Sequence, residues 1–325
     1  MHSRRSLLGA AAALALAPAA RAQPAPAFPA RPLNWVVPYP AGGFGDALSR
    51  LLAQKLAEGL GQTVIVENKP GAGGQIGAAY VKQQPADGHT LLYGDLGPFA
   101  MNAGLYPKLN YDTLKDFAPL TRLLTAPLLV VVPVTSAINS WADLLRAAAS
   151  PRGLNYGSYG IGSQPHIWGE MLKRQTKGNF THVAYKGAAP AVQDLIGGQI
   201  DMMLDVVANS IPMVRERKLR AVALVGARRR LAQLPDVPTL TELGMPELDA
   251  PGWTGVVVRR GTPQPVIDRL HAAVVQAVQS PEVAQRYGDL GLTVAPSSQA
   301  EFAELVRSET ARWGQVIREA HVTLD

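Results

Sequence analysis

The strongest constraint on this chain is a rhythm. Short β-rich runs alternate with helical patterns, and partway along the chain the alternation starts again. In the first block Asn34 to Val37 reads as a strand. A glycine-rich turn follows, then a helix with Leu48, Leu51, Leu52 and Leu56 on one face. Thr63 to Val66 is the next strand. A second glycine-rich turn leads to a helix around Gln75 to Gln83 and a strand from Thr90 to Tyr93. The second block opens on the strand Leu128 to Val132. A helix from Ser140 to Ala149 follows, with Ser140 and Asp143 at capping-box spacing. Leu154 to Tyr156 is a strand, and a turn leads to a helix opening near Ser163-Gln164-Pro165. His182 to Tyr185, Ile200 to Leu204, Arg220 to Val225 and Trp253 to Val258 are further strands. Strands that alternate with helices are joined by crossovers. Two such blocks therefore predict two α/β domains, each a mainly parallel sheet flanked by helices.

Two helices close the chain. One starts at Thr262-Pro263, a cap residue followed by proline at the first helical position, and carries Ile267, Leu270, Val274 and Val278 at helical spacing. The last has a capping box at Ser298 and Glu301 and an apolar face of Phe302, Leu305, Val306, Trp313, Val316 and Ile317. There is no short-period repeat and no transmembrane span.

The first twenty-two residues read as a removable export signal. Arg4 and Arg5 form a positive start, and Leu7 to Ala20 is an uncharged apolar stretch. Ala20-Arg21-Ala22 is an A-x-A cleavage site, which puts the mature start at Gln23. The apolar stretch is shorter than the roughly 20 residues a bilayer span needs. Ser3-Arg4-Arg5-Ser6-Leu7-Leu8 also resembles a twin-arginine signal, so both the general secretory and the twin-arginine routes stay open. Residues 23–32 are rich in proline and alanine and read as a lead-in.

The chain has no cysteine, which removes disulfides, thiol catalysis, cysteine metal sites and a lipid-modified cysteine together. An exported chain without disulfides must rely on its core, and about 300 residues suffice for two domains. Three arginines of the signal account for half of the formal +6 charge, leaving +3 on the mature chain. No cluster of basic and aromatic residues accompanies that charge, so nucleic acid is not an expected partner.

Three glycine-rich turns follow strands: Pro38 to Asp46, Pro70 to Gly74, and Tyr156 to Ser163. In open α/β sheets ligands sit outside the carboxyl ends of the strands. Glycine lets backbone approach a ligand, and the first amides of a helix lack partners and carry positive potential. Such turns suit an anion held without charged side chains, although the same glycines also serve tight turns alone. Asp46 is expected to cap the first loop before it touches a ligand. Asp205, after an apolar strand, is read either as an acceptor for a ligand amino group or as a buried cap. His166 lies in the first turn of its helix, with a ligand contact and a structural role both open.

Enzyme signatures are missing. No turn completes G-x-G-x-x-G, no Walker lysine follows a loop, and G-x-S-x-G is absent. His2, His89, His166, His182, His271 and His321 show no metal-ligand spacing, and no metal or other cofactor is expected. A hydrolase built on Asp46, Asp95, Asp205 or His166 has no base–nucleophile pair at a recognisable spacing. The chain is read as a non-enzyme.

The same residues carry a family resemblance. Trp35-Val36-Val37-Pro38-Tyr39-Pro40-Ala41-Gly42-Gly43 with Asp46, and Val66-Glu67-Asn68-Lys69-Pro70-Gly71-Ala72-Gly73-Gly74 with Ile76-Gly77, come first. Pro85 to Leu92, Leu105 to Leu109, Asp116 to Leu120, Tyr185-Lys186-Gly187, Leu195 to Gln199 and Leu234 to Thr239 follow in order. From about Arg31 to its end the chain resembles the Bug family of extracytoplasmic solute receptors, the binding component of tripartite tricarboxylate transporters. That resemblance implies a two-domain periplasmic binding protein of type II with Venus-flytrap closure. Domain 1 would comprise 31–125 and 251–325, domain 2 would comprise 126–250, and hinges would lie near 126 and 251.

The implied partners are a small carboxylate or amino-acid-like solute and membrane transporter subunits, with a sensor protein as the alternative. The implied state is a monomer in the periplasm. The implied ligand residues are Tyr39, Ala41, Gly42, Gly43, Phe44, Asp95 and Gly97 from domain 1, and Ser158, Tyr159, Gly162, Ser163, His166 and Asp205 from domain 2. Asp95 stands where the family usually has a small hydroxyl residue, and Tyr159 and Ile161 replace smaller or more polar ones. With Phe44 as an aromatic wall, these departures favour a smaller or partly apolar carboxylate, an amino acid or an aromatic acid over citrate.

Overall fold

The computed structural model describes residues 28–324. The export signal and its cleavage site lie outside those residues. The first lobe begins with β1 (Leu33–Val37), α1 (Phe44–Leu60), β2 (Val64–Asn68), α2 (Gln75–Gln83) and β3 (Thr90–Asp95). The leucine stripe of α1 buries Leu48, Leu52 and Leu56. The helix stops at Gly61, whose φ of 65° lets its N–H turn back to Ala57 O. A π-helical turn at Gly97–Met101 runs into α3 (Asn102–Leu105), then α4 (Thr113–Asp116) and β4 (Phe117–Ala126).

The second lobe holds β5 (Leu128–Pro133), α5 (Trp141–Ala148), β6 (Leu154–Ser158), α6 (Gln164–Thr176), β7 (Phe180–Ala184), α7 (Ala188–Ile196), β8 (Met202–Val206), α8 (Val207–Arg215) and β9 (Leu219–Val225). The chain then returns through β10 (Gly252–Arg259), α9 (Gln264–Val278), α10 (Pro281–Asp289), β11 (Thr293–Val294) and α11 (Gln299–Glu319). β5 and most of β10 are buried along their length, as expected of strands covered on both faces.

Among the described residues the strands form two sheets. One has the order β11-β4-β10-β3-β1-β2, the other β7-β6-β8-β5-β9. In the first, β1 pairs in parallel with β2 and β3, and β10 lies antiparallel between β3 and β4. In the second, β6 pairs in parallel with β7 and β8, and β5 lies antiparallel between β8 and β9. Each sheet therefore runs mainly one way, with one reversed strand inside it and, in the first, the short β11 reversed at the edge. The chain path explains the reversal. β5 and β10 are the strands that enter a sheet from the other lobe. They start at the edge facing that lobe, where their neighbours end, so they must run the opposite way.

β4 has no counterpart in the sequence reading. Its Pro119 has no N–H to give a ladder, and the register shift between Val256 and Val257 absorbs it beside Pro119. Arg122 keeps its guanidinium at the sheet edge by donating to Ala295 O at 2.8 Å. Helices α7, α8 and α10 were also not anticipated. Pro190, Pro212 and Pro281 interrupt or open them and weaken their helical signal.

Candidate interlobe ligand site

The crossovers decide which ends of the sheets face each other. β4 ends at Ala126 and β5 begins at Leu128, with only Pro127 between. Leu128 pairs with Val206 at the end of β8 and with Val225 at the end of β9. Gly252, which opens β10, pairs with Ala126. The carboxyl ends of β1, β2, β3 and β4 therefore face the second lobe, and those of β6, β7, β8 and β9 face the first. All three glycine-rich turns lie at this junction.

The first and third turns are built alike. Gly42 and Gly162 each have φ of 79°, a value open to glycine and strained for other residues. Each precedes an extended N-cap residue, Gly43 for α1 and Ser163 for α6. In both, the side chain three residues past the cap reaches back to the glycine amide. Gly42 N–H donates to Asp46 Oδ2 at 2.9 Å, and Gly162 N–H donates to His166 Nδ1 at 3.0 Å. Each turn is closed by the cap amide on a carbonyl three residues earlier, Gly43 to Pro40 and Ser163 to Gly160. The same device thus shapes two helix N-termini, one in each lobe, at the junction between them.

Their chemistry differs. Asp46 is buried and also accepts from Arg50 Nε at 3.0 Å and Asn68 Nδ2 at 3.0 Å. Asn68 Nδ2 also donates to Tyr39 O, which ties β2 to the first turn. The Arg50 guanidinium, aided by the Gly42 amide and Asn68, pulls the Asp46 carboxyl down to about 2 against its desolvation. Its charge is compensated inside the loop. His166 is buried and stacks on His182 with ring centroids 3.8 Å apart. Burial, and the neighbouring His182, push His166 down to about 4, so it is neutral at ordinary pH. A neutral imidazole whose Nδ1 accepts a bond carries its proton on Nε2.

The expected ligand residues divide by position. Ala41, Gly42 and Gly43 are exposed at the first turn, with Tyr39 and Phe44 half-buried beside them. Asp95 and Gly97, at the end of β3, are half-buried next to Tyr39. Asp95 Oδ1 accepts from Tyr39 Oη at 2.8 Å and from Gly97 N–H at 2.9 Å. A Cβ on Gly97 would lie 3.2 Å from Asp95 Oδ1, so glycine gives this carboxylate its room. Burial raises the Asp95 carboxyl above its ordinary range against the pull of those two bonds. Ser163 and Tyr159 are half-buried on the second lobe.

The remaining expected contacts are turned inward. Ser158 is fully buried: its Oγ lies 2.7 Å from His182 Nε2, donates to Gly160 O and accepts from Gly160 N–H. Asp205 is fully buried and accepts from Tyr159 Oη, Asn209 Nδ2 and Ser210 Oγ. Gly162 is buried against the first lobe, where a Cβ would lie 2.7 Å from Leu324 Cδ1 and 3.1 Å from Leu105 Cδ1. In this structure Ser158 and Asp205 do not face the gap. Ser158 Oγ satisfies the Gly160 amide of its own short loop, while Asp205 is held by three side-chain donors. Tyr159 Oη accepts from Val206 N–H at 3.1 Å and so joins the third turn to β8.

Sequence reasoning missed Asn68, Arg50 and His182. Asn68 stood in a quoted motif, but its contacts cross strands and only pairing brings them together. Ser158 and His182 form the only serine–histidine contact at the junction among the described residues. The serine is fully buried, and among the described residues no carboxylate is hydrogen-bonded to His182. No group of three or more metal-ligand side chains occurs among the described residues.

A sequence profile of the TctC family, described as tripartite tricarboxylate transporter family receptor, matches residues 48–322. A Pseudomonas sp. (strain P51) protein of the tcbD-tcbE intergenic region is 37% identical over 97% of this chain and 94% of its own length. Among solved structures, malate-bound MatC from Rhodopseudomonas palustris is 36% identical with a TM-score of 0.79, covering 89% of this chain and 100% of its own. An adipate-bound protein of R. palustris is 33% identical with a TM-score of 0.82, covering 91% and 100%. The periplasmic binding protein BugD is 31% identical with a TM-score of 0.81, again covering 91% and 100%.

Proposed function

This chain belongs to the tripartite tricarboxylate transporter receptor family, and on that premise we propose that it captures a small carboxylate-containing solute between its two lobes and hands it to a transporter of that type. The observation that carries the reading is the matched pair of helix N-termini across the gap. Each follows a glycine at φ of 79°, and a helix start leaves first-turn amides that can hold an anion, one fewer in α6 because Pro165 has no N–H. The malate and adipate seen in two related structures belong to the same chemical class.

The lobes are taken as 31–125 plus 251–325 and 126–250, hinged at Ala126-Pro127-Leu128 and Ala250-Pro251-Gly252. The ligand surface is taken as Tyr39, Ala41, Gly42, Gly43, Phe44, Asp95 and Gly97 with Tyr159 and Ser163. Ser158, His166 and Asp205 shape it from behind, and Gly162 packs against Leu105 and Leu324 of the other lobe. A ligand touching both lobes favours the closed arrangement by its differential affinity, and the transporter reads that arrangement. The chain works in the periplasm after cleavage following Ala22, and it holds and releases solute without altering it.

A thermal-shift panel of mono-, di- and tricarboxylates tests this. A ligand at 100 times its Kd adds about 2.7 kcal/mol to stability, a rise of several degrees in Tm. No shift with any carboxylate, at concentrations up to about 10 mM and from pH 6 to 8, overturns the reading.

A further inference from the structure

Three carboxylates sit around the gap, and two are fully compensated. Asp46 has Arg50, the Gly42 amide and Asn68. Asp205 is enclosed by Tyr159, Asn209 and Ser210. Asp95 differs. Its Oδ1 accepts two bonds, from Tyr39 and Gly97, while its Oδ2 has no hydrogen-bond donor and no Lys or Arg pairs with it among the described residues. It keeps part of its surface open, at the β3 end that faces the second lobe.

The Tyr39 hydroxyl and the Gly97 amide converge on one oxygen, as donors do when they hold a carboxylate. Here the carboxylate is the protein's own. An anion site on the first lobe is thus already filled, and what remains is a carboxyl oxygen with no donor and no counter-charge. A second ligand carboxylate brought here finds no donor, and it meets like charge wherever Asp95 is ionised. An ammonium, amide or hydroxyl group finds the missing partner. Specificity of this kind arises as much from the repelled ligand as from the favoured one.

Building on the function proposed above, the geometry points to Asp95 as the residue that sets the ligand class: a small monocarboxylate carrying a hydrogen-bond donor, an ammonium group above all, with dicarboxylates of matched length excluded. The ligand carboxylate is held by the helix N-termini, and its donor end meets Asp95 Oδ2.

The test uses pairs of equal length in calorimetric titration with the mature protein: β-alanine against succinate, and 5-aminopentanoate against adipate, with L-asparagine as an α-amino acid. The expected result is that an amino member binds at least tenfold more tightly than its diacid at pH 7.5. Asp95→Ser frees Tyr39 and Gly97 and should reverse the order, with the diacid gaining at least tenfold. Asp95→Asn keeps an oxygen for both donors and removes only the charge. It guards against misfolding of the first variant and should lose the ammonium preference.

Equal or tighter diacid binding by the native protein overturns the inference. So does an amino preference that survives both substitutions, since another group then sets it. In either case carboxylate capture itself stands. If no carboxylate of either class binds, the functional reading falls and this inference falls with it.

Discussion

Replacing Asp46 by asparagine tests whether the first glycine turn is shaped by a buried charge. The native carboxylate accepts the Gly42 amide, Arg50 and Asn68, and its carboxyl lies at about 2 against an ordinary 3.8. At about 1.4 kcal/mol per unit the shift corresponds to roughly 2.5 kcal/mol. Arg50 is half exposed, so solvent screening reduces that to about 1–2 kcal/mol. The substituted amide could still accept from Gly42 but would lose the ion pair and set its own NH2 against Arg50 or Asn68. Asp46→Asn should therefore lower Tm by about 3–5 °C at pH 7.

The sign of the pH dependence is fixed by the direction of the shift. The folded carboxyl lies below its unfolded value, so the contribution is present above about pH 4 and is lost as pH falls through about 2. Melting curves of the two proteins at pH 7, 5, 4 and 3 should keep a constant gap to pH 5 and converge below 4. Salt at about 0.5 M should narrow the gap at pH 7 in part. A gap that is absent at pH 7, or equally wide at pH 3, refutes the charge argument.

Three further outcomes follow from the geometry. His166 stays neutral down to about pH 4, so the native protein should lose up to about 3 kcal/mol between pH 6.5 and 4 as the unfolded chain takes up its proton. His166→Asn, which keeps an acceptor for Gly162, should flatten that slope in urea titrations at pH 7.5 and 5. Gly226→Ala should cost about 2–4 kcal/mol in thermal or urea unfolding, because φ is 78° and the new Cβ would lie 2.3 Å from Pro251 Cα at the second interlobe crossover. Backbone at a crossover has nowhere to retreat. Ser298→Ala removes one arm of a complete capping box on α11 and should cost about 1 kcal/mol, read as a drop of a few degrees in Tm.

Much of the architecture was legible along the chain because it is written in local periodicity. Helix Gln75–Gln83 and the caps of α5 and α11 stand where their residues put them. Most predicted strands match to within two residues, since a buried strand is a short apolar run wherever it pairs. β4 escaped because its proline and arginine spoil that run, and only the bulge against β10 makes them tolerable. The candidate site was legible as loops but not as a surface. Its three glycine turns follow from sequence because the positive-φ positions within them are glycines, with Ala72 at φ of 47° the one exception.

Which side chains meet the gap is another matter. Ser158 and Asp205 lie beside the site in sequence and turn away from it, while Asn68, 22 residues from Asp46, completes the first turn. Those choices depend on which strands pair and which amides are left for a side chain to satisfy, and no local pattern encodes them. The sequence by itself therefore determined the two-block α/β plan, the family and the glycine turns, since these rest on contacts within a few residues. The tertiary structure alone decided that Asp46 is spent on its own loop and that Asp95 keeps an oxygen without a donor, because a carboxylate's charge is governed by the donors that folding brings to it.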